Sequence, residues 1–232
     1  MSLADTTRLV LAPPHPAGKP FLAAGAVLFV LGLLFADWLA WVAGLFALFC
    51  LYFFRDPERV PPARPGVLLA PADGHVVSVA AALPPPELGL GPTPRWRVGI
   101  FLSLFDVHVN RAPADGTVTR IAYRHGRFVN ASLDKASTEN ERNALAIRLT
   151  DGREIAVVQI AGLVARRIVC AVREGDALRA GARFGIIRFG SRTDLYLPEG
   201  VEPLVAVGQT MVGGETVIAE LGWAALRRAG AN

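Results

Sequence analysis

The chain has 232 residues, 52% of them hydrophobic and 19% charged, with a formal net charge of +4. That balance excludes a disordered chain, which needs low hydrophobicity and high charge, and it leaves room for one or two domains. Two cysteines exclude a disulfide framework, and a modest positive charge without basic–aromatic interleaving suits an anionic bilayer surface better than nucleic acid.

Residues 1–20 read as a leader, expected to be disordered, that carries His15 and Lys19. From Phe21 to Phe54 the only charged residue is Asp37. One straight helix of that length would run roughly 50 Å, whereas a hydrocarbon core is about 30 Å thick. Two helices broken near Ala36-Asp37-Trp38, each roughly 25 Å long, fit better. Asp37 then sits at a turn near water, and Trp38 and Trp41 suit the interface. A secretory signal is the rival reading, but its apolar region is usually about 7–15 residues, far shorter than this run. Lys19 precedes the run and Arg55, Arg59 and Arg64 follow it. Positive flanks favour the cytoplasmic side, so the hairpin is expected in the inner membrane with the rest of the chain in the cytoplasm. Cys50, in the apolar run, and Cys170 read as inert core residues.

Residues 55–66 are rich in Pro and charge and read as a stiff linker. Beyond them the pattern turns to short strands: Val76–Ala81, Arg95–Ser103, Thr117–Tyr123, Ala144–Leu149, Glu154–Ile160 and Phe184 to Phe189. Only the tail, Gly222 to Ala229, looks helical. The expected fold class is mainly β, a barrel-sandwich-like soluble domain over residues 67–232 behind a helical hairpin at 21–54. Two loops interrupt it. Leu83 to Pro94 reads as an exposed excursion. Asn130 to Asn143, with Lys135, Glu139, Glu141 and Arg142, reads as a solvated loop or a lid near a charged head group.

The soluble part contains an echo. Ala70-Pro71-Ala72-Asp73-Gly74-His75-Val76 returns as Ala112-Pro113-Ala114-Asp115-Gly116-Thr117-Val118. The stretch from Val172 to Gly181, with Gly175-Asp176, matches Val207 to Gly214, with Gly208-Gln209. Tight-turn chemistry accounts for such steps. The Gly-Asp turns also resemble those of biotinyl and lipoyl carrier domains, so a membrane-tethered binding or adaptor module is an alternative. A carrier needs a lysine at a turn tip, and Lys135 in its polar loop does not fit.

Chemistry concentrates at Gly190-Ser191-Arg192. A hydroxyl next to a conformationally free glycine is able to attack that glycine's carbonyl when a base helps. The peptide becomes an ester, elimination leaves dehydroalanine, and hydrolysis yields a pyruvoyl ketone. Such a ketone forms an imine with an amine and draws in electrons. Gly-Ser alone is most often a turn. Here it follows Ala70-Pro71-Ala72-Asp73-Gly74 and Phe105-Asp106-Val107-His108-Val109-Asn110-Arg111-Ala112-Pro113, behind an apolar hairpin. In that order these motifs resemble phosphatidylserine decarboxylase, in particular its short archaeal-type form.

The resemblance implies a proenzyme that cleaves itself between Gly190 and Ser191 into a β chain, 1–190, and an α chain, 191–232. Ser191 becomes the covalent pyruvoyl cofactor, and no metal is implied. The substrate is phosphatidylserine, drawn from the lipid bilayer, and a homo-oligomer is compatible with it. By position, Asp73 matches a family aspartate that assists self-cleavage, and His108 a histidine linked to proton transfer during decarboxylation. A histidine's ordinary pKa near ~6.5 suits either role. His75 and His125 are weaker candidates. The longer bacterial form has a second histidine where Arg111 stands. Arginine is a poor base, so Arg111, Arg192 and Lys135 are instead candidates for holding substrate anions, and the base for Ser191 stays open between His108 and His75.

Overall fold

The computed structural model describes residues 12–128, 139–162, 167–188 and 190–222. The chain divides into two compact units between Glu58 and Arg59.

The first unit is a helical hairpin, α1 (Lys19–Phe35) and α2 (Asp37–Phe53), broken at the extended residue Ala36. Asp37 begins α2, where a negative charge complements the helix dipole. Small residues form the seam: a side chain added at Gly32 would fall 2.2 Å from the Ala40 nitrogen. Such residues let apolar helices approach closely. Leu34, Phe35, Trp38, Trp41 and Leu45 are exposed, and the helical stretch Pro16–Phe35 is long and apolar enough to cross a membrane. His15 differs from expectation. It is ordered, donating its N–H to the Phe54 carbonyl (2.6 Å) and accepting the Ala17 N–H at Nδ1 (3.2 Å). That contact caps a turn of 3₁₀ helix at Pro16–Gly18.

The second unit is mainly β, as expected. Its strands are β1 (Val67–Leu69), β2 (Gly74–Ala82), β3 (Arg95–Leu102), β4 (Val109–Arg111), β5 (Gly116–Arg124), β6 (Arg142–Leu149), β7 (Glu154–Ala161), β8 (Ile168–Cys170), β9 (Ala177–Leu178), β10 (Arg183–Ile187), β11 (Ser191–Tyr196), β12 (Thr210–Met211) and β13 (Val217–Glu220). Eight of them form one antiparallel sheet in the order β12-β2-β3-β11-β7-β6-β5-β9. A second sheet has the order β4-β10-β8, and β1 pairs with β13. Alternation along the strands sends Val98, Ile100, Leu145, Ile147, Val157 and Leu195 into the main core.

The sequence echo is a structural one. The two Pro-Ala-Asp-Gly segments clasp each other through Leu69 N–H to Pro113 O and Arg111 N–H to Pro71 O, both 2.8 Å. Each then closes on its own distant turn in the same way. Gly214 N–H reaches Ala70 O (2.8 Å), and Gly181 N–H reaches Ala112 O (2.9 Å). Asp73 accepts the Gly213 N–H and Asp115 the Ala180 N–H, each at 2.7 Å. Both aspartates staple a turn.

Three expectations change. The excursion after β2 is not loose: a 3₁₀ turn at Pro86–Leu88 buries Leu88, and Leu90 after it, against Ala144, Ala146 and Ala156 on the sheet's outer face. Alanine leaves room there for a covering loop. Glu87 ties it down through Arg142 at 2.7 Å; burial raises the Glu87 pKa, but this hydrogen bond and charge outweigh it and the net shift is downward. The segment after Glu58, expected as a stiff linker, is tied to the β unit. Arg59 pairs with Asp73 (2.7 Å) and Val60 N–H with Glu215 (2.9 Å). In the polar loop, Arg142 and Asn143 already belong to β6; residues 130–138, with Lys135, and the tail beyond Gly222 lie outside the described residues.

Candidate active site

The site forms where β4 of the small sheet meets β11 of the large one. Gly190 has φ +76°, a region that residues with a side chain seldom adopt. Space is not the constraint, because among the described residues beyond its chain neighbours an added Cβ would meet only Leu104 Cδ2, at 3.9 Å. The glycine is required for its backbone angle. Ser191 follows as the first residue of β11, in register with Leu102 on one side and Ala161 on the other. Ser191, Leu102 and Ala161 are all fully buried. Ser191 Oγ is buried without a hydrogen-bond partner among the described residues. Leaving a buried hydroxyl unpaired costs roughly 1–3 kcal/mol, and unsatisfied groups of this kind call for a functional explanation.

His108 is also fully buried. Its Nδ1 lies 2.9 Å from the Asp106 carbonyl, so this nitrogen carries the proton. Its Nε2 is then the acceptor and takes the Gly190 N–H at 3.2 Å, across 82 positions of sequence. A neutral histidine with Nε2 unprotonated is a base, and it stands one residue from the hydroxyl.

The other predicted residues lie elsewhere. Asp73 has Arg59 Nη2 on one oxygen and Gly213 N–H on the other. Arg111 is buried, donates from Nη1 to the Gly181 carbonyl (3.0 Å) and passes over Gly214. Asp73 and Arg111 thus converge on the Gly213–Gly214 turn. Arg192 neighbours Ser191 in sequence but points to the opposite face of β11. There its Nε meets Asp194 Oδ1 at 2.5 Å, both side chains fully buried. Gly99 makes the space, since a Cβ there would fall 2.3 Å from Arg192 Nη2. Arg97 Nε lies 3.8 Å from Asp194 and its Nη2 donates to Ser78 Oγ (3.2 Å). Burial raises the Tyr196 pKa, and the Asp194 charge adds to it. His75 is exposed beside Thr210 Oγ1, and His125 faces Glu141.

Breaking a buried ion pair from one side typically costs about 3–5 kcal/mol, because the remaining charge loses its partner. Asp194→Ala is therefore expected to destabilise the fold by that amount in urea unfolding. A change under about 1 kcal/mol, the level of an exposed pair, would refute the pair's structural weight.

Sequence reasoning missed a polar strap on the inner face. Asn143 Nδ2 donates to Gln159 Oε1 (2.9 Å), Gln159 Nε2 to Asn110 Oδ1 (2.8 Å), and Asn110 Nδ2 to Thr193 Oγ1 (3.1 Å). All four side chains are buried. Asn110 lies two residues past His108 and Thr193 two past Ser191, so the strap ties together the two strands that carry the site. Asn110 stands inside the quoted Phe105–Pro113 motif and Thr193 directly follows Gly190-Ser191-Arg192, but nothing local pairs them.

A family model described as phosphatidylserine decarboxylase matches residues 46–219. The chain is similar to the phosphatidylserine decarboxylase proenzyme of Granulibacter bethesdensis, with 71% identity over 221 residues, covering 95% of this chain and 91% of that protein. The proenzyme of Gluconacetobacter diazotrophicus is 64% identical over 225 residues, 95% of this chain and all of its own length (100%). That of Cereibacter sphaeroides is 59% identical over 231 residues, 98% of each chain. With a family model matching residues 46–219 and relatives 59–71% identical matching nearly end to end, the chain belongs to the phosphatidylserine decarboxylase family.

Proposed function

We propose that the chain is a short archaeal-type phosphatidylserine decarboxylase that breaks its own backbone between Gly190 and Ser191. The mature enzyme converts phosphatidylserine to phosphatidylethanolamine and carbon dioxide. One observation carries this reading: a buried serine hydroxyl without a hydrogen-bond partner among the described residues follows a left-handed glycine whose N–H is held by a histidine base. The adaptor alternative is not favoured, since relatives up to 71% identical are proenzymes.

In the cleavage step, His108 Nε2 exchanges the Gly190 N–H for the Ser191 hydroxyl. Ser191 Oγ adds to the Gly190 carbonyl carbon, the C–N bond breaks, and the hydroxyl proton ends on the freed amine. Loss of the Cα proton of residue 191 then expels the Gly190 carboxylate from Cβ. Water replaces the nitrogen, which leaves as ammonia, and a pyruvoyl group remains. The residues fit it: Leu102 and Ala161 exclude water on both sides. Once formed, the ketone supplies an electron sink, as pyridoxal phosphate does elsewhere.

For decarboxylation, His108 delivers the proton to the substrate carbon that has lost carbon dioxide. Asp73 supports cleavage by holding the turn against which Arg111 packs. Arg192 acts through Asp194, by fixing β11, and Lys135 is retained for the head group. The apolar hairpin seats the enzyme in the inner membrane, with residues 67–232 on the cytoplasmic side.

Mass spectrometry tests the reading. Purified protein is expected to give two pieces, 1–190 and 191–232, the smaller blocked at its N terminus, and borohydride with phosphatidylserine should trap an adduct on that terminus. A single intact chain that is nonetheless active would overturn the assignment.

A further inference from the structure

We propose that the turn Ser103–Asp106 is an interfacial anchor: Phe105, with Leu104 beside it, enters the polar–apolar boundary of an anionic phospholipid bilayer and brings the mouth of the Ser191 site onto the head groups. The proposal rests on the reading above that the substrate is a lipid.

Phe105 is 70% exposed and Leu104 38%. A lone exposed apolar side chain is unremarkable; the mounting of this pair is not. The Asp106 carboxylate accepts both the Ser103 N–H (2.8 Å) and the Ser103 hydroxyl (2.7 Å), and Asp106 N–H donates back to Ser103 O (3.1 Å). With the Phe105 N–H on Ser103 Oγ (3.4 Å), four hydrogen bonds across four residues hold the tip outward. The same turn is continuous with the site on both sides. The Asp106 carbonyl holds His108 Nδ1, and Leu104 Cδ2 lies 3.9 Å from where a side chain on Gly190 would begin.

The surrounding charge suits an anionic surface. Arg188, two residues before Gly190, donates its N–H to the Arg167 carbonyl (3.2 Å), and Arg167 is exposed. Burial lowers the Arg188 pKa, and the Arg167 charge lowers it further, as expected for two cations sharing one region. Arg124 and Arg127 are exposed at the end of β5. Arg124 lies in the strand register that runs through Arg142 and Ile160 to Arg192, beside Ser191. Of the acids nearby, Glu141 is engaged by the Tyr123 hydroxyl and His125, Asp106 by the turn and Glu87 by Arg142, with the Arg124 charge also acting on it; Glu139 is exposed beside Arg127. An aromatic residue with flanking basic groups is the composition that binds membrane interfaces.

The geometry also supplies a need. Ser191 is fully buried, while a phospholipid head group is tethered to chains that stay in the bilayer. Seating the apolar tip shortens the distance the head group must rise.

The test uses the full-length chain in vesicles of phosphatidylserine and phosphatidylcholine. In Phe105→Ser, self-cleavage and turnover of a monomeric short-chain phosphatidylserine should stay within about twofold, while turnover of vesicle phosphatidylserine falls by about tenfold, the scale of one lost aromatic burial. In Phe105→Trp, activity should be retained, with more fluorescence quenching by brominated acyl chains than the unsubstituted protein gives. Equal loss on both substrates, no loss on vesicles, or no added quenching would each overturn the anchor. An unsubstituted enzyme that decarboxylates neither substrate would instead sink the functional reading, and the quenching result would still decide whether the tip enters the bilayer.

Discussion

Ser191→Ala is expected to leave one chain of 24.7 kDa on a denaturing gel and to abolish decarboxylation completely. The substitution removes one oxygen from a residue that is fully buried and whose hydroxyl bonds to nothing among the described residues. Folding should therefore survive it, and removing an unpaired buried hydroxyl is neutral or mildly stabilising. Self-cleavage should not survive, because the Ser191 hydroxyl is the nucleophile proposed to attack the Gly190 carbonyl, and without cleavage no ketone forms. The result to measure is a thermal midpoint equal to or above that of the unsubstituted protein, together with an uncut chain. A serine-free variant that still appears as two pieces would remove the assignment.

His108→Ala is expected to act on both reactions. It takes away the acceptor of the Gly190 N–H and the base beside Ser191, so cleavage should slow from completion during expression to a partial process. In the fraction that does cleave, turnover should fall by about 10²–10⁴-fold, the usual contribution of a positioned acid or base. Quantifying the pyruvoyl-bearing chain before measuring the rate separates the two effects. Membrane association should be unchanged, since the hairpin is a separate unit. Turnover per cleaved chain within about twofold of normal would exclude His108 from proton transfer.

The longer strands were legible because they carry alternation and are bounded by Gly or Asp steps: β2, β3, β5, β6 and β7 begin and end within a few residues of expectation. The short strands β1, β4, β8, β9, β12 and β13 were not, because two to four residues hold no period. β11 escaped for another reason. Ser191-Arg192-Thr193-Asp194 is polar and carries no apolar alternation, yet all of it is buried, because the outer face satisfies its charges as an ion pair and the inner face lies alongside the amide strap. The loop before β3 looked flexible from its prolines and glycines, but Leu88 and Leu90 find a floor of alanines that lies far away in the chain.

By itself the sequence determined the broken apolar hairpin, the mainly β domain, the family and the serine to which the chemistry is assigned. Each of these rests on neighbouring residues: an uninterrupted apolar run, alternation, turn chemistry, or a motif. The tertiary structure decided which side chains meet. It alone placed His108 on Gly190 across 82 positions, turned Arg192 away from Ser191, and paired Asn110 with Thr193. Those outcomes depend on strand order and register, which are set by burial summed over the whole sheet, and no local stretch encodes that sum.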